Sequence, residues 1–466
     1  MVEKIYIVTD IGFGDAGKGT IVQATASAVD AVVVIKTGGA QGSHGVTTPG
    51  GESCLLSQWG CATFAGVPTH ISPRMIISPV GLLNEAETLR YKHGIDDPFG
   101  MLTIDERAIC ATSLHKIASR LKELARGNNP RGTTGTGIGT ALRDSQRRPD
   151  LAITAGDLKN LPQNELKRRL IDQREQIRQD LDQIIHGEFL SDDRSLAAKQ
   201  IARLNSDEFL DYVLEVLRDV GKRATIVDAD YLGREILTQD GNAVVESSQG
   251  VLIDNMYGFW PHTTAIRTLP SFTQKMLREA GYDGTIINLG VHRAYETRHG
   301  AGPMPTADPT MAINLLPGSQ RQNSRWQGGV RVGPLDLVLM KYAIEVCGGH
   351  TALDGLAITW YDQIILNGEW RICHRYENAD NPGFFTDSGK IKVMRGLSEN
   401  ELRKHQEDLG KQLLGCKPVV ETIRVPLNIA HDRDKIFSFC ADTLEELGVP
   451  VRLVSVGPTE KEKIFR

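Results

Sequence analysis

Short runs of β-branched and other apolar residues recur along the chain, and most end in a turn or in a segment with helical spacing. Such a run is typical of a buried strand, and a run followed by a helix is typical of a parallel sheet. The pattern therefore predicts an α/β fold with a large, mostly parallel sheet flanked by helices. Strands are predicted at residues 5–8, 31–36, 224–227, 243–246, 356–359 and 451–454, a strand and turn at 71–83, and helices from about residue 20, at 84–93 and at 432–447.

Two long stretches depart from this alternation of predicted strands and helices. Residues 160–222 are highly charged and carry apolar residues at helical spacing, which predicts a helical insertion with a solvated charged face. Residues 290–333 are rich in loop-forming residues, so long active-site loops are predicted there. No tandem repeat or long linker interrupts the sequence. Residues 1–466 are therefore predicted to form a single domain that contains the 160–222 helical subdomain.

Composition and charge narrow the classes of partner. The 466-residue chain has a net charge of −5, whereas proteins that bind nucleic acid or anionic membranes are more often basic, so neither is an expected partner. The seven cysteines are widely spaced and include no Cys-x-x-Cys pair. This spacing favours core residues in a reducing compartment over a disulfide framework or a zinc site. Because no signal-peptide pattern is present, a cytoplasmic location is predicted.

The stretch 5–22 contains the clearest candidate chemistry. A predicted strand is followed by four glycines, with Asp15 and Lys18 among them, and then by a helical segment. Glycines let backbone N–H groups approach an anion, and a helix N-terminus adds positive potential. This layout predicts a P-loop-like nucleotide cradle, although Gly19 stands where the regular Walker pattern has Ser or Thr. The predicted phosphate-binding residues are Gly12, Gly14, Gly17, Lys18, Gly19 and Thr20.

Six separated motifs follow one another along the chain. They are GFGDAGKG (12–19), GGAQGSHG (38–45), GTTGTGIG (132–139), SSQGVLID (247–254), HRAYETRHGAGPMPT (292–306) and VSVGP (454–458). Together they resemble the adenylosuccinate synthetase family over nearly the full length, apart from a longer helical region before residue 224. The resemblance implies a ligase that couples nucleoside-triphosphate hydrolysis to the joining of aspartate to a purine nucleotide. It also implies Mg²⁺ as cofactor and a homodimer as the working unit.

The resemblance assigns the catalytic and metal-binding roles to two of these loops. Asp15 is implied to be a general base that removes the N1 proton of a 6-oxopurine, and also a Mg²⁺ ligand. Removing that proton makes O6 a nucleophile toward a γ-phosphoryl group, and a positioned base contributes ~10²–10⁴-fold. His44 is implied to act as an acid during phosphate transfer, and the backbone carbonyl of Ser43 to help hold the metal.

The resemblance also assigns residues to the two nucleotides. The residues expected at the purine nucleotide and its phosphate are Gln41, Thr133, Thr134, Gln249 and Thr264. Arg147 and Arg148 stand where the family has an arginine that reaches the partner subunit's nucleotide, and Arg148 is the predicted residue. The residues expected at the base of the triphosphate are Asp362, Ser455 and Gly457.

Two regions depart from the family pattern. The arginine-rich loop that binds the carboxylates of aspartate is reduced here to WQGGVRVG (326–333). Of its arginines only Arg331 remains, and Arg325 or Arg321 could substitute for those that are missing. At the triphosphate base, Trp360 replaces the family's flanking lysine, which leaves ATP or dATP open beside GTP.

Three functions are therefore compared. The first is synthesis of adenylosuccinate from IMP, L-aspartate and GTP through a 6-phosphoryl intermediate. The second is a related reaction on (d)GMP or another purine nucleotide, with ATP or dATP, or with a different amine donor. Retention of Asp15 favours a hypoxanthine-type base over a 2-aminopurine. The third is a regulatory nucleotide-binding protein or a plain NTPase, and the reduced arginine loop is consistent with this function because neither protein needs an amino-acid site.

Overall fold

The computed structural model describes residues 1–48, 50–316 and 324–466. It confirms the predicted α/β fold, in which a large and mostly parallel sheet is flanked by helices. The strands are β1 (Val2–Asp10), β2 (Ala31–Gly39), β3 (His44–Thr47), β4 (Ser53–Leu56), β5 (Thr69–Ile77), β6 (Leu102–Asp105), β7 (Ile109–Cys110), β8 (Thr225–Val227), β9 (Gly241–Gly250), β10 (Thr285–Arg293), β11 (Glu296–His299), β12 (Val330–Gly333), β13 (Leu335–Asp336), β14 (Gly355–Thr359), β15 (Glu369–Glu377), β16 (Lys417–Arg424), β17 (Val451–Ser455) and β18 (Lys463–Phe465).

The helices lie between these strands and include the long charged insertion. They are α1 (Lys18–Ala28), α2 (Pro79–His93), α3 (Ser113–Leu124), α4 (Ile138–Arg147), α5 (Ala155–Asn160), α6 (Gln163–Asp180), α7 (Asp182–Ile185), α8 (Arg194–Asn205), α9 (Asp207–Arg223), α10 (Pro270–Glu279), α11 (Ala312–Leu315), α12 (Leu337–Cys347), α13 (Tyr361–Asn367), α14 (Glu399–Gly415) and α15 (Arg433–Thr443). Within the described ranges, no helix combines the length and the apolar character needed to cross a membrane.

The main sheet has eleven strands in the order β18-β17-β14-β10-β1-β9-β2-β5-β6-β8, and β7 also pairs with β5. All of these pairs are parallel except β17 with β18. Strands of a parallel sheet are buried on both faces and read as continuous apolar runs. Ile5, Ile7 and Val8 of β1 accordingly have no exposed surface. All seven cysteines are buried and free.

The predicted helical stretch is helical in the structure, from α6 to α9. Leu166, Leu170 and Leu217 are buried against the rest of the chain, whereas Tyr212 is exposed. The division into one domain with a 160–222 subdomain remains a prediction.

Two sequence predictions were wrong in detail. The turn expected at the end of residues 71–83 is the first turn of α2, where Ser78 accepts a hydrogen bond from Gly81 N and Pro79 occupies the first helical position, a favoured place for proline. The loop-rich region 290–333 contains the end of β10 and the antiparallel pair β11–β12. β11 was missed because its sequence, ETRH, is polar throughout, and β12 because its alternation, VRVG, is only four residues long.

The strand order determines where the loops meet. β1, β2, β9, β10, β14 and β17 run parallel and are contiguous in the sheet, so their carboxyl ends share one edge. In open α/β sheets that edge is where ligands bind. Five of the six sequence motifs lie at or just after the ends of these strands and therefore converge there, whereas residues 132–139 lie between α3 and α4.

Candidate active site

A cavity of 1790 Å³ opens at the carboxyl edge of the main sheet. It is lined by the cradle that follows β1, the loop that follows β2, the loop that precedes α4 and the ends of β14 and β17. The predicted site residues that line it are Gly14, Asp15, Gly17, Lys18, Gly19, Thr20, Gln41, Ser43, His44, Thr133, Thr134, Gln249, Thr264, Asp362, Ser455 and Gly457. The four predicted residues outside its lining are Gly12, Arg148, Arg325 and Arg331.

Two glycines of the cradle are required by its geometry. Gly17 precedes α1 in a left-handed conformation with φ 78°, which glycine adopts without steric cost. Gly19 packs against the next loop so closely that an added Cβ would lie 2.3 Å from the Gly45 carbonyl oxygen. This contact explains why Gly19 occupies the position where an ordinary P-loop has Ser or Thr.

Lys18 is tied into the base of the cavity. Its Nζ donates to Asp10 Oδ2 at 3.1 Å and to the Gln249 carbonyl at 2.9 Å. Asp10 in turn accepts hydrogen bonds from the backbone N–H groups of Gly12 and Ala16. The carboxylate at the end of β1 therefore shapes the cradle, and the lysine neutralises it.

Asp15 lies on the cavity with 39 % of its side chain exposed and a left-handed backbone, φ 60°. Its Oδ2 contacts His299 Nε2, and its carbonyl accepts from Arg293 Nε at 2.5 Å. Removal from bulk water would raise the pKa of Asp15, but the hydrogen bond and charge of His299, with Arg293 and Lys18, hold that pKa well below its usual range. The carboxylate is therefore ionised at neutral pH.

His44 begins β3 and is held by a buried carboxylate. Its Nδ1 lies 2.5 Å from Glu246 Oε1, and Lys36 Nζ donates to the same oxygen at 2.6 Å. Cys61 donates its backbone N–H to Glu246 Oε2 at 2.8 Å. Glu246 therefore orients the imidazole, and Lys36 neutralises Glu246.

These buried charges have shifted pKa values. Burial would raise the pKa of Glu246, but Lys36 and His44 hold it well below its usual range. Burial would lower the pKa of Lys36, but Glu246 raises it. For His44 the effect of burial wins over the hydrogen bond to Glu246, so its pKa is lowered. We call Asp10, Lys18, Lys36, His44 and Glu246 the charged floor.

Sequence reasoning missed Asp10, Lys36 and Glu246. A usable signal was present, because Lys36 and Glu246 directly follow apolar runs, in VVVIK and AVVE, and Asp10 lies one threonine beyond the run in IYIVTD. A charge in such a position has to be paired when the strand is buried. Lys36 and Glu246 are 210 residues apart, and they meet because β2 and β9 are neighbours in the sheet.

The loop before α4 and two polar side chains form one end of the cavity. Thr134 Oγ1 lies 2.9 Å from Thr136 Oγ1, and Thr133 Oγ1 accepts from Gly135 N at 3.3 Å. Gln41 Nε2 lies 3.5 Å from Thr264 Oγ1. The structure thus brings these predicted residues to a common surface.

The opposite end of the cavity lies at β14 and β17. Trp360 precedes α13 with φ 58°, and the Arg293 guanidinium stacks 4.5 Å from the centre of its ring. Asp362 Oδ2 accepts from Gln363 Nε2 at 2.7 Å, and burial raises the pKa of Asp362. Ser455 Oγ donates to the Gly457 carbonyl at 3.1 Å.

The predicted arginines lie elsewhere. Arg148 is on the surface, paired with Asp150 and hydrogen bonded to Gln176. Arg325 contacts Asp193, and Arg331 Nη2 donates to the Gly302 carbonyl at 2.9 Å. Arg325 and Arg331 line a second cavity of 580 Å³, which adjoins the first and shares with it the lining residues Glu123, Gly132, Ala301 and Gln327. Arg321 lies outside the described residues.

Two groups of side chains bear on metal binding. Among the described residues, His44, Cys61 and Glu246 place ligand atoms within 4.8 Å of one another, but the Lys36 ammonium already supplies positive charge there. Asp15 and the carbonyl of Ser43 offer oxygen atoms on the cavity, and oxygen is the ligand type that Mg²⁺ prefers. The donor chemistry of Asp15 and Ser43 fits Mg²⁺.

Comparisons with known proteins agree with this architecture. The adenylosuccinate synthetase family model matches residues 7–464. Adenylosuccinate synthetases of Dehalococcoides mccartyi and Caldanaerobacter subterraneus are each 27 % identical, over 97 % and 99 % of this chain and 98 % and 99 % of theirs. A fully ligated adenylosuccinate synthetase from Plasmodium falciparum superposes with a TM-score of 0.74 at 19 % identity, covering 99 % of both chains.

A second solved structure has a similar fold. The succinoaminodeoxyadenylate synthetase of cyanophage S-2L, bound to dGMP and to dATP as an energy donor, superposes with a TM-score of 0.57 at 14 % identity, over 100 % of this chain and 96 % of the other. The family match, which spans almost the whole chain, carries the assignment. This chain belongs to the adenylosuccinate synthetase family, whose members are ligases that form a carbon–nitrogen bond.

Proposed function

We propose that this protein couples hydrolysis of a nucleoside triphosphate to C–N bond formation at C6 of a 6-oxopurine nucleotide, with IMP, L-aspartate and GTP as substrates. One observation carries the proposal: Asp15 and His44 line a single cavity, with the loop of Thr133, which leads into α4 beside β5 and β7, at one end and Asp362, which follows β14, at the other. A base, an acid and two separate ends for nucleotides are what phosphorylation of O6 requires.

The proposed reaction has two halves. Asp15 takes the N1 proton, O6 attacks the γ-phosphorus, the bond to the β,γ-bridging oxygen breaks, and the nucleoside diphosphate leaves. The amine nitrogen then attacks C6, the C6–O6 bond breaks with release of inorganic phosphate, and the amine loses a proton. A carboxylate with a low pKa is a weak base, so the contact of Asp15 with His299 has to give way to contacts with the substrate.

His44 needs a proton to act as an acid. Burial lowers the pKa of His44, so the imidazole of the free protein is neutral at pH 7 and Nδ1–H donates to Glu246. A nearby negative charge favours the protonated form of histidine. Binding of the triphosphate therefore supports the acid role by raising that pKa, while Glu246 keeps the ring in place.

Asp15 and the Ser43 carbonyl would hold Mg²⁺ in this scheme. The bound ion supplies positive charge to the phosphate oxygens, as in other phosphoryl-transfer enzymes. The protein's own contribution is an ionised Asp15 carboxylate on the cavity surface. Its ionisation does not depend on the ion, because His299, Arg293 and Lys18 already favour it.

The test is release of inorganic phosphate measured with nucleotide, triphosphate and amino acid supplied together and with each omitted in turn. We expect phosphate release only in the complete mixture, and mass spectrometry should detect the succinylated nucleotide. Phosphate release that is independent of the amino acid would contradict the proposal and favour an NTPase.

A second candidate keeps the chemistry and changes the substrates. Trp360, stacked against Arg293 beside Asp362, offers an aromatic surface at the proposed base site, and stacking accepts any purine. ATP or dATP as energy donor, and (d)GMP as acceptor, are the alternatives. Parallel assays with GTP, ATP and dATP, with IMP or dGMP and a panel of amino acids, would separate the two candidates by the product mass.

A further inference from the structure

A tight turn, residues 324–328, lies where the two cavities adjoin. The backbone N–H of Ser324 donates to the Gly328 carbonyl at 2.9 Å, and that of Gly328 donates to the Ser324 carbonyl at the same distance. Ser324 Oγ also accepts from the backbone N–H groups of Trp326 and Gln327, at 3.3 Å and 3.2 Å. Gln327 lines both cavities. We call residues 324–328 the junction turn.

Trp326 fixes the junction turn to α3 and to the loop that precedes α4. The Arg120 guanidinium of α3 lies 4.9 Å from the centre of the Trp326 ring, and Arg120 Nε donates to the Gly135 carbonyl at 3.1 Å. A Cβ added at Gly135 would lie 3.1 Å from Trp326 Cγ, and the ring also packs against the larger hydrophobic core. The junction turn is therefore packed directly on the loop that carries Thr133.

The backbone of the junction turn is in close contact with two neighbouring loops. A Cβ added at Gly300, after β11, would lie 2.5 Å from the Gln327 carbonyl oxygen, and one added at Gly132 would lie 3.5 Å from it. The Gly300 N–H donates to the Gly329 carbonyl at 3.0 Å. A displacement of the junction turn would therefore open the boundary between the two cavities.

The helical insertion holds the junction turn from the other side. Asp193 stands at the N-cap position of α8, and its side chain is 11 % exposed. This side chain caps none of the described N–H groups of α8, and its carboxylate contacts Arg325 instead. A carboxylate with so little exposure needs a cation, and a helix N-terminus favours its negative charge. The contact between Asp193 and Arg325 is therefore a fixed anchor for the turn.

From these contacts we infer that Trp326 and Asp193 are positioning residues for the amine step, which keep the junction turn in place so that the amine, and not water, reaches C6. The inference rests on the proposed function, because it concerns the second half of that reaction. Trp326 packs on the loop of Thr133, where the purine mononucleotide is expected. The position of the turn is thereby tied to that of the acceptor substrate.

The chemistry explains why the position of the turn matters. If water attacks C6 of the 6-phosphoryl intermediate, the C6–O6 bond breaks, inorganic phosphate leaves and the water loses a proton. The 6-oxopurine nucleotide is then regenerated, so the triphosphate has been hydrolysed without formation of a C–N bond. Closed active sites prevent hydrolysis of reactive intermediates in this way. A displaced turn should therefore uncouple phosphate release from product formation.

The experiment measures inorganic phosphate and succinylated nucleotide in the same reaction with IMP, GTP and L-aspartate. The wild type should form them in equal amounts. In Trp326→Ala the kcat for product should fall by about tenfold or more, because small displacements from the reactive geometry are costly. Its ratio of product to phosphate should fall at least about threefold, with a smaller change in the KM for IMP. Trp326→Phe keeps an aromatic ring over Arg120 and should restore most of both.

A second set of variants separates an anchor from a direct substrate contact. If Arg325 binds the amino acid itself, Arg325→Ala should raise the KM for L-aspartate and Asp193→Asn should not. If the two residues form an anchor, each single variant and the double variant should lower the ratio of product to phosphate by the same factor, because residues that act as one unit are not additive. These variants also supply the test if Trp326→Ala does not remain folded, which thermal unfolding checks.

Arg168→Ala is the matched control. Arg168 lies in the same helical insertion, is 60 % exposed and pairs with Glu165 and Asp172 on its own helix. Its replacement should change neither the ratio of product to phosphate nor either KM.

The outcomes separate this inference from the proposed function. Equal amounts of product and phosphate in Trp326→Ala and in Asp193→Asn would overturn the positioning role and leave the ligase proposal intact. A higher KM for L-aspartate in Arg325→Ala alone would overturn the anchor. A wild-type protein that releases phosphate without forming product would contradict the proposed function, and this inference with it.

Discussion

The charged floor and a group of three cations, which we call the basic wall (Lys122, Arg131 and Arg143), face the same cavity but differ in how their charges are balanced. In the floor, Lys18 meets Asp10 at 3.1 Å and Lys36 meets Glu246 at 2.6 Å. In the wall, Lys122, Arg131 and Arg143 line open space and have no carboxylate partner in the described residues. The difference indicates that the charges of the floor neutralise one another, whereas the charges of the wall face the open cavity.

The location of each group explains the difference. The floor lies at the ends of β1, β2 and β9 in the centre of the sheet, where its side chains have at most 8 % exposure. An unpaired charge at that depth would be very unfavourable. The wall lies on α3, a loop and α4 at the rim of the cavity, where water can stabilise an unpaired cation.

The largest expected effect is on catalysis, at the cradle above the floor. Asp15→Asn preserves the shape of the side chain but removes the base, so the rate of product formation should fall by ~10²–10⁴-fold. Asp408→Asn, which removes a surface carboxylate of α14, should leave the rate unchanged. Activity of Asp15→Asn within about twofold of wild type would contradict the assignment of the base.

The second-largest expected effect is on the free energy of unfolding and comes from the charged floor. Lys36→Met leaves the Glu246 carboxylate buried without its cation, and breaking one partner of such a pair costs about 3–5 kcal/mol. Urea unfolding measures the loss. Lys404→Met breaks an exposed pair with Asp408 and should cost at most about 0.5 kcal/mol. A similar loss of unfolding free energy in the two variants would show that burial does not strengthen the ion pair between Lys36 and Glu246.

A smaller expected effect is the pH dependence of stability that comes from His115, which lies in the same helix as Lys122. His115 accepts a hydrogen bond from Thr112 N at the start of α3, which carries Lys122, and burial lowers the pKa of His115 to about 4. The unfolded chain has a histidine pKa of about 6.5, so it binds the proton first as the pH falls. Stability should therefore be full above about pH 6.5 and decline toward pH 4, by about 2 kcal/mol at pH 5 from this residue.

The variant that tests this effect is His115→Gln, because glutamine accepts the same capping hydrogen bond and does not titrate. Its urea stability should fall less than that of the wild type between pH 7 and pH 5. His70, whose pKa burial also lowers to about 4, remains and keeps part of the dependence. His186→Gln alters an exposed histidine and should leave the wild-type dependence unchanged.

The smallest effect is the stability of the wall without a ligand. Arg143→Ala removes a cation that repels Arg131 and makes one long hydrogen bond. The free energy of unfolding should therefore change by no more than about 0.5 kcal/mol. A loss above about 1.5 kcal/mol would mean that Arg143 supports the fold.

The fold was largely predictable because its central strands are buried on both faces. β1, β2, β14 and β17 read as apolar runs, and the fold class follows from them. β11 was missed because its sequence, Glu296–His299, is polar throughout. Its buried Arg298 is satisfied by the carbonyls of Pro303 and His262, which are tertiary partners that no local pattern reveals.

The candidate site was predictable to a similar extent. Glycine-rich loops have a recognisable composition, so Asp15, His44 and Thr133 could be named in advance, and all three line the cavity. The sequence did not reveal that Glu246 contacts His44 or that His299 contacts Asp15, because the two residues of each pair are more than 200 positions apart in the chain. Arg325 and Arg331, predicted for the amino acid, line the smaller cavity, and their role remains a prediction.

The amino-acid sequence by itself determined the strands of the sheet, the loops that follow them and the chemistry those loops carry, because burial periodicity and glycine placement act locally. Tertiary structure alone decided which charges meet. The order β1-β9-β2 inserts Glu246 between the cradle and the loop of His44, and the packing of α3 beside α4 gathers the wall. Coulomb interactions depend on distance in space, so neither arrangement can be read along the chain.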